Sequence, residues 1–185
     1  GGNGVTTNVT TTNVEATHNF TIDVANGDSV SGNNLSSINV DYASSGDFVT
    51  SNDELDGVDA GDITVSVDGS PVQVDTAPSG SSGDIVLNGT DTNALLASGG
   101  STIDVVIDGV VNPDDAVTDG NVQVSVTDDA AAPNTVGPVN LALTTEQPNI
   151  AVEPDPGIAQ VGSSVEYTAT LTDSNDDPIS GANVT

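Results

Sequence analysis

The chain has no lysine and no arginine to set against its 28 acidic residues, so its formal net charge is -28 over 185 residues. Without a fixed cation no carboxylate can form an intramolecular Lys or Arg ion pair. Each must find an amide or hydroxyl donor, water or a solution cation. The same absence removes the side chains that release counterions from phosphates, which excludes nucleic acid and anionic membrane surfaces as partners. Cysteine is missing too, and with it disulfides, thiolate zinc sites and cysteine nucleophiles, although the redox compartment stays open. Aromatic rings are scarce: two Tyr, two Phe and no Trp. No apolar run reaches the ~18 residues of a membrane-spanning helix, so direct membrane insertion is not expected. The opening "GGNGVTTNVTTTNV" has neither the charged nor the apolar region of a leader. A chain whose leader has been removed and a cytoplasmic chain both read this way.

Uncompensated charge also bears on the setting. At physiological salt the Debye length is about 8 Å and neighbouring carboxylates repel; at molar salt it shrinks to about 3 Å and the repulsion is largely screened. The composition therefore points to a high-salt environment, with K⁺, Na⁺ and Mg²⁺ as screening counterions. High charge with few aromatics is also the signature of disorder. Against that stand 27 valines, 9 isoleucines, 8 leucines and 2 phenylalanines, about a quarter of the chain and above the range in which disorder is the default. A folded, β-rich chain is the expectation.

Period-2 alternation recurs in short blocks. Phe20, Ile22 and Val24 share one face, as do Ile38, Val40 and Tyr42, then Ile63, Val65 and Val67, then Val72 and Val74. Ile103, Val105 and Ile107, Val122, Val124 and Val126, and Val139, Leu141 and Leu143 continue the pattern. The turns between them are "VDGSP", "SGSSGD", "LNGTD" and "SGGST". No helical stripe is present, although "TNALLASGG" can make one helical turn. Such a pattern predicts an all-β fold, an antiparallel sandwich of two packed sheets. Prolines at 148, 154 and 156 mark a boundary near residue 147. Three units follow: a β-prone extension over 1–12, a sandwich over 13–146 and an incomplete unit over 147–185. The last contains strands at Ile150 and Val152 and from Val165 to Leu171, too little to close a core alone.

Residues 149–185, with "YTATLTDSNDDPISGANVT", resemble the start of the bacterial Ig-like (invasin-type) repeat. The phrases "HNFTIDVANG", "INVDYASSGDF", "LDGVDAGDITVSVDGSPVQV", "STIDVVIDGVVNP" and "NVQVSVTD" are similar to β-sandwich modules of secreted haloarchaeal surface proteins. These resemblances imply an Ig-like sandwich followed by a partial second one, in an exported and often glycosylated wall, filament or adhesive protein.

Three kinds of candidate site are present. The stretch "NDELDGVDAGD" gathers Asp53, Glu54, Asp56, Asp59 and Asp62, enough oxygens for a hard cation such as Ca²⁺ or simply a solvated acidic loop. "DSNDDP" opens like an EF-hand loop at Asp173, Asn175 and Asp177, yet Pro178 stands where glycine is needed and Val184 where the distal Glu belongs; a hairpin turn is favoured. Asp114, Asp115 and Asp119 form a weaker cluster. Asn8, Asn19, Asn34, Asn88 and Asn183 each begin an N-x-S/T triplet, acceptors for N-linked glycans in an exported chain, with Asn88 and Asn8 in the best local settings. His18 shares the parity of Phe20, which places it toward the core or the sheet edge in a structural role. With one histidine and no nucleophile elbow, no catalytic triad is supported.

The sequence-based expectation is a non-enzymatic structural protein of a halophile's cell surface, needing no cofactor and self-associating into a homopolymeric filament or surface layer. The 1–12 segment is the candidate donor strand for the incomplete C-terminal unit of a neighbour. A long surface glycoprotein cut within its second repeat is a plainer version. The alternative is a calcium-dependent adhesin or carbohydrate-binding module using the 53–62 loop.

Overall fold

Each valine-rich block becomes a strand because one of its faces finds an apolar partner across a sandwich. The computed structural model describes residues 2–44, 46, 48, 53–153, 162, 164, 167–173 and 177–179. Its strands are β1 (Gly4–Thr7), β2 (Glu15–Val24), β3 (Leu35–Asp41), β4 (Ile63–Val67), β5 (Ser70–Val72), β6 (Val74–Thr76), β7 (Ser82–Leu87), β8 (Ser101–Val111), β9 (Val117–Asp128), β10 (Thr135–Thr145), β11 (Asn149–Glu153) and β12 (Thr168–Thr172). No α-helix occurs among the described residues. Two 3-10 turns do, at Ala60–Asp62 and Thr92–Ala94, the second inside "TNALLASGG".

The strands form two five-stranded antiparallel sheets, ordered β1-β2-β8-β4-β5 and β10-β9-β3-β7-β6, plus a two-stranded sheet of β11 and β12. Phe20, Ile22, Ile103, Val105 and Ile107 from the first sheet meet Ile38, Val40, Ile85, Val124 and Val126 from the second in one buried cluster. Burial of each such side chain contributes roughly 1.5–3 kcal/mol before conformational entropy is counted. Registers place like with like: Phe20 lies opposite Val105 and Ile22 opposite Ile103, while Val40 lies opposite Val124. A slip of one residue would turn every one of these side chains to solvent. The all-β antiparallel sandwich predicted from alternation is therefore the observed architecture.

Three details differ from the sequence-based reading. The 1–12 segment is paired within its own chain: β1 borders β2, with Val5 opposite Phe20. Thr12 N–H donates to the Glu146 carbonyl at 3.0 Å and Glu146 N–H to the Thr10 carbonyl at 2.8 Å, which ties the segment to the end of β10 as well. Val72 and Val74 do not share a strand, because the chain crosses between sheets at Gln73, whose N–H donates to Asp91 Oδ2 at 3.1 Å. The Gly/Ser-rich stretch before Ile85, read as a turn, already forms the first half of β7. There Gly83 faces Val40, and a Cβ on it would lie tight against Ser79 N at 3.2 Å and Pro78 at 3.3 Å.

β10 ends at Thr145 and β11 begins at Asn149, on either side of the boundary placed near residue 147. In the β11–β12 pair, Ile150 faces Leu171 and Val152 faces Ala169. After β12 the chain turns back, with Asp177 N–H on Asp173 Oδ1 at 2.9 Å and Ile179 N–H on the Leu171 carbonyl at 3.0 Å. Asp173 and Asp177 are thus held together where the chain reverses, and residues 174–176 between them lie outside the described residues. Pro154, Pro156, Val165, Asn175, Asn183 and Val184 lie outside the described residues.

Candidate functional site

The end of the sandwich where β8 passes to β9 collects most of the buried polar groups. His18, on β2, is fully buried and hydrogen-bonded at both ring nitrogens: Nδ1 meets the Tyr42 hydroxyl and Nε2 meets Asn112 Oδ1 at 2.7 Å. Asn112 Nδ2 donates to the carbonyls of Val9 at 2.7 Å and Thr11 at 2.8 Å, so its oxygen must be the atom turned to the ring. Nε2 therefore carries the proton and Nδ1 accepts from Tyr42. Burial lowers the His18 pKa to about 4, against a smaller raising effect of Asn112. The Tyr42 hydroxyl moves the other way, well above its ordinary value, through burial and then the nearby Glu54 charge. The histidine thus faces the core rather than the edge. Through Asn112 it clamps residues 9–11 against the sandwich, and no lone pair is left for a substrate.

The five acids of the 53–62 stretch are dispersed. Asp53 is exposed at a left-handed φ of 48°, where its turn begins. Asp59 and Asp62 bond each other across the first 3-10 turn, with Asp59 N–H donating to Asp62 Oδ2 at 2.9 Å. Asp56 and Asp62 line an open depression together with Glu15 and Asp108. Glu54 turns inward instead. Leu55 N–H donates to the Gly80 carbonyl at 2.8 Å and Val111 N–H to the Glu54 carbonyl at 3.0 Å, which seats Leu55 in the core and draws Glu54 in with it. Glu54 is 0% exposed, and neither of its carboxylate oxygens has a hydrogen-bond partner among the described residues. Burial raises its pKa, its own backbone amide opposes this, and the charges of Asp114 and Asp53 add to the rise. Among the described residues no three acidic or imidazole groups converge as a metal site. Of the weaker cluster, Asp114 is half-buried, and the Asp115 carbonyl accepts from the Thr145 hydroxyl at 2.5 Å. Asp119 sits at a positive φ of 56°.

At the opposite end of β9 a second carboxylate is buried in a very different setting. Asp128 accepts from Asn33 Nδ2 at 2.7 Å, Asn134 N–H at 2.7 Å, Asn134 Nδ2 at 2.9 Å and Ala130 N–H at 3.3 Å. Burial alone would raise its pKa, but the donors of Asn134, Ala130 and Asn33 more than reverse this and hold it below the ordinary carboxylate range. Sequence reasoning passed over this site. Its only local signal is the "TDDAAAPN" loop, where an Asp precedes a turn that ends in Asn.

The asparagines of the N-x-S/T triplets differ in how far their amides are engaged. Asn88 Oδ1 accepts from Thr90 N–H at 3.1 Å and Thr90 Oγ1 at 2.8 Å in the turn after β7. Asn8 is exposed, and its Oδ1 accepts from Thr17 N–H at 2.7 Å. Asn19 is exposed in the middle of β2, and Asn34 Nδ2 donates to Asp129 Oδ2 at 3.0 Å. No known family's sequence profile matches the chain, and no curated protein is similar to it.

Proposed function

We propose that the protein is a non-enzymatic structural component of a halophile's cell surface whose copies associate into a filament or surface layer. The observation that carries this reading is the β11–β12 pair, whose apolar side chains no other described residue covers. Among the described residues the exposed large apolar side chains are Val86, Leu95, Ile150, Val152 and Tyr167, and the last three belong to this pair or directly precede it. Two strands are marginal alone in water, and the same face of a second copy offers a surface that would cover their apolar side.

Other features support the same reading. The pairing of β2 with β8, and of β3 with β9 and β9 with β10, follows the two-sheet connectivity of Ig-like sandwiches, with β4 to β7 added between. The strands β1, β5, β6 and β10 are the outermost of the two sheets among the described residues and would offer their edges to a neighbour. Because β1 occupies its own sheet, a donor-strand role takes the form of an exchange, in which β1 leaves one copy and enters the same register on the next. A charge of -28 without a basic residue keeps such surfaces apart in dilute buffer and lets them meet in brine. An exported chain would carry glycans on the Asn88 and Asn8 turns. No described helix is long and apolar enough to cross a membrane.

Electron microscopy and sedimentation of the full chain in molar salt test the proposal. The expected result is regular assemblies that are lost in an Ile150→Asp/Val152→Asp variant. A chain that stays monomeric at every concentration in brine would refute it.

A further inference from the structure

We propose that Glu54 and Asp114 are the carboxylate ligands of a hard-cation site of the Ca²⁺ class, where the loop carrying Glu54 meets the β8–β9 connection. The proposal does not depend on self-assembly. Its starting point is the isolation of the Glu54 carboxylate, which is wholly buried and which no donor among the described residues approaches other than its own backbone amide. Buried polar groups are ordinarily hydrogen-bonded, and a buried charge without a partner costs several kcal/mol. Here no partner can come from Lys or Arg, because the chain has neither, and His18, its one imidazole, is committed at both nitrogens to Tyr42 and Asn112. The charged groups that face Glu54 are Asp114 and Asp53, with the Tyr42 hydroxyl close by, and none of them supplies a positive charge.

Nor can Glu54 easily swing out to water. Its own carbonyl is held by Val111 and the next amide by Gly80, and Leu55 is fully buried. Moving this backbone outward would unseat a core leucine. A cation resolves this conflict by supplying the missing positive charge. Asp114 is the second carboxylate rather than Asp53, because Asp114 is half-buried with its Oδ1 shielded from solvent whereas Asp53 is exposed. The donor set is oxygen only, which selects hard cations over zinc or copper. Since no third acid or imidazole converges among the described residues, main-chain carbonyls and water complete the shell.

The test uses the full chain, stripped with chelator, in molar sodium chloride so that diffuse counterion effects are screened. Ca²⁺ is titrated by calorimetry and by thermal unfolding, with Mg²⁺ for comparison. The expected result is saturable binding that raises the unfolding midpoint by about 5 °C or more at roughly a hundredfold excess over the dissociation constant. Glu54→Gln and, separately, Asp114→Asn weaken that binding by about tenfold or more. An Asp56→Asn/Asp59→Asn/Asp62→Asn variant retains it. Circular dichroism establishes that each variant is folded, and two independent single variants guard against one failing to fold. Absence of saturable heat in the parent chain overturns the proposal, as does unchanged binding in Glu54→Gln, or loss of binding only in the triple surface variant. Equally decisive against it is a Glu54→Gln chain that is more stable in chelator while Ca²⁺ leaves the parent unmoved, which would identify Glu54 as a buried neutral acid.

Discussion

The two ends of β9 hold buried carboxylates in opposite circumstances. Asp128 is wrapped by side-chain and main-chain amides of Asn33, Ala130 and Asn134, while Glu54, beyond the other end, is approached by no donor among the described residues other than its own amide. Both belong to a chain that cannot answer either charge with Lys or Arg. The difference teaches that an all-acidic protein has two ways to bury a carboxylate. Amide donors can stabilise the ion, which lowers its pKa. Otherwise burial raises its pKa, and a proton or an external cation is left to answer the charge.

Lowering the pH acts first on His18, and with the largest effect. Its native pKa of about 4 lies below the ordinary imidazole value of 6.5, so between those values the unfolded chain binds a proton that the native chain refuses. Its contribution is complete above pH 6.5 and is lost as pH falls toward 4, by about 3 kcal/mol at the lower limit. Denaturant unfolding at stepped pH should show this decline, and His18→Gln should flatten it. Glu54 contributes with the opposite sign, since a raised carboxylate pKa favours the fold at low pH and loses that benefit as pH rises through the native value.

Replacement of the two acids sharpens the contrast. Asp128→Ala leaves its donors unpaired and should cost about 2 kcal/mol at neutral pH, read from the urea midpoint in molar salt. In chelator-treated protein, Glu54→Gln should instead raise stability by about 1 kcal/mol, because an unanswered buried charge is removed. The smallest effect belongs to Asp62→Ala, which deletes the bond to Asp59 N–H at the 3-10 turn and should cost about 0.5 kcal/mol in the same assay.

The sandwich was legible in the sequence because alternation is a local signal. Phe20, Ile22 and Val24, like Ile103, Val105 and Ile107, announce a buried face without knowledge of their partners. β7 was partly hidden, since "SGD" carries turn chemistry and becomes strand only when β3 provides a ladder. The pairing of β1 with β2 depends on a register that no local pattern encodes. The acidic density around residues 53–62 was visible, but which of those acids is buried was not. That is decided by Leu55 seating in the core and by hydrogen bonds from Val111 and to Gly80, distant in sequence. The Asp128 cage likewise brings Asn33 from 95 positions away.

Site-resolved carboxyl titration by NMR, on one chelator-treated sample in molar salt, compares both ends directly. Asp128 is expected to titrate below 3.8 and Glu54 above 4.5. Ordinary midpoints for both, or the reverse order, would contradict this.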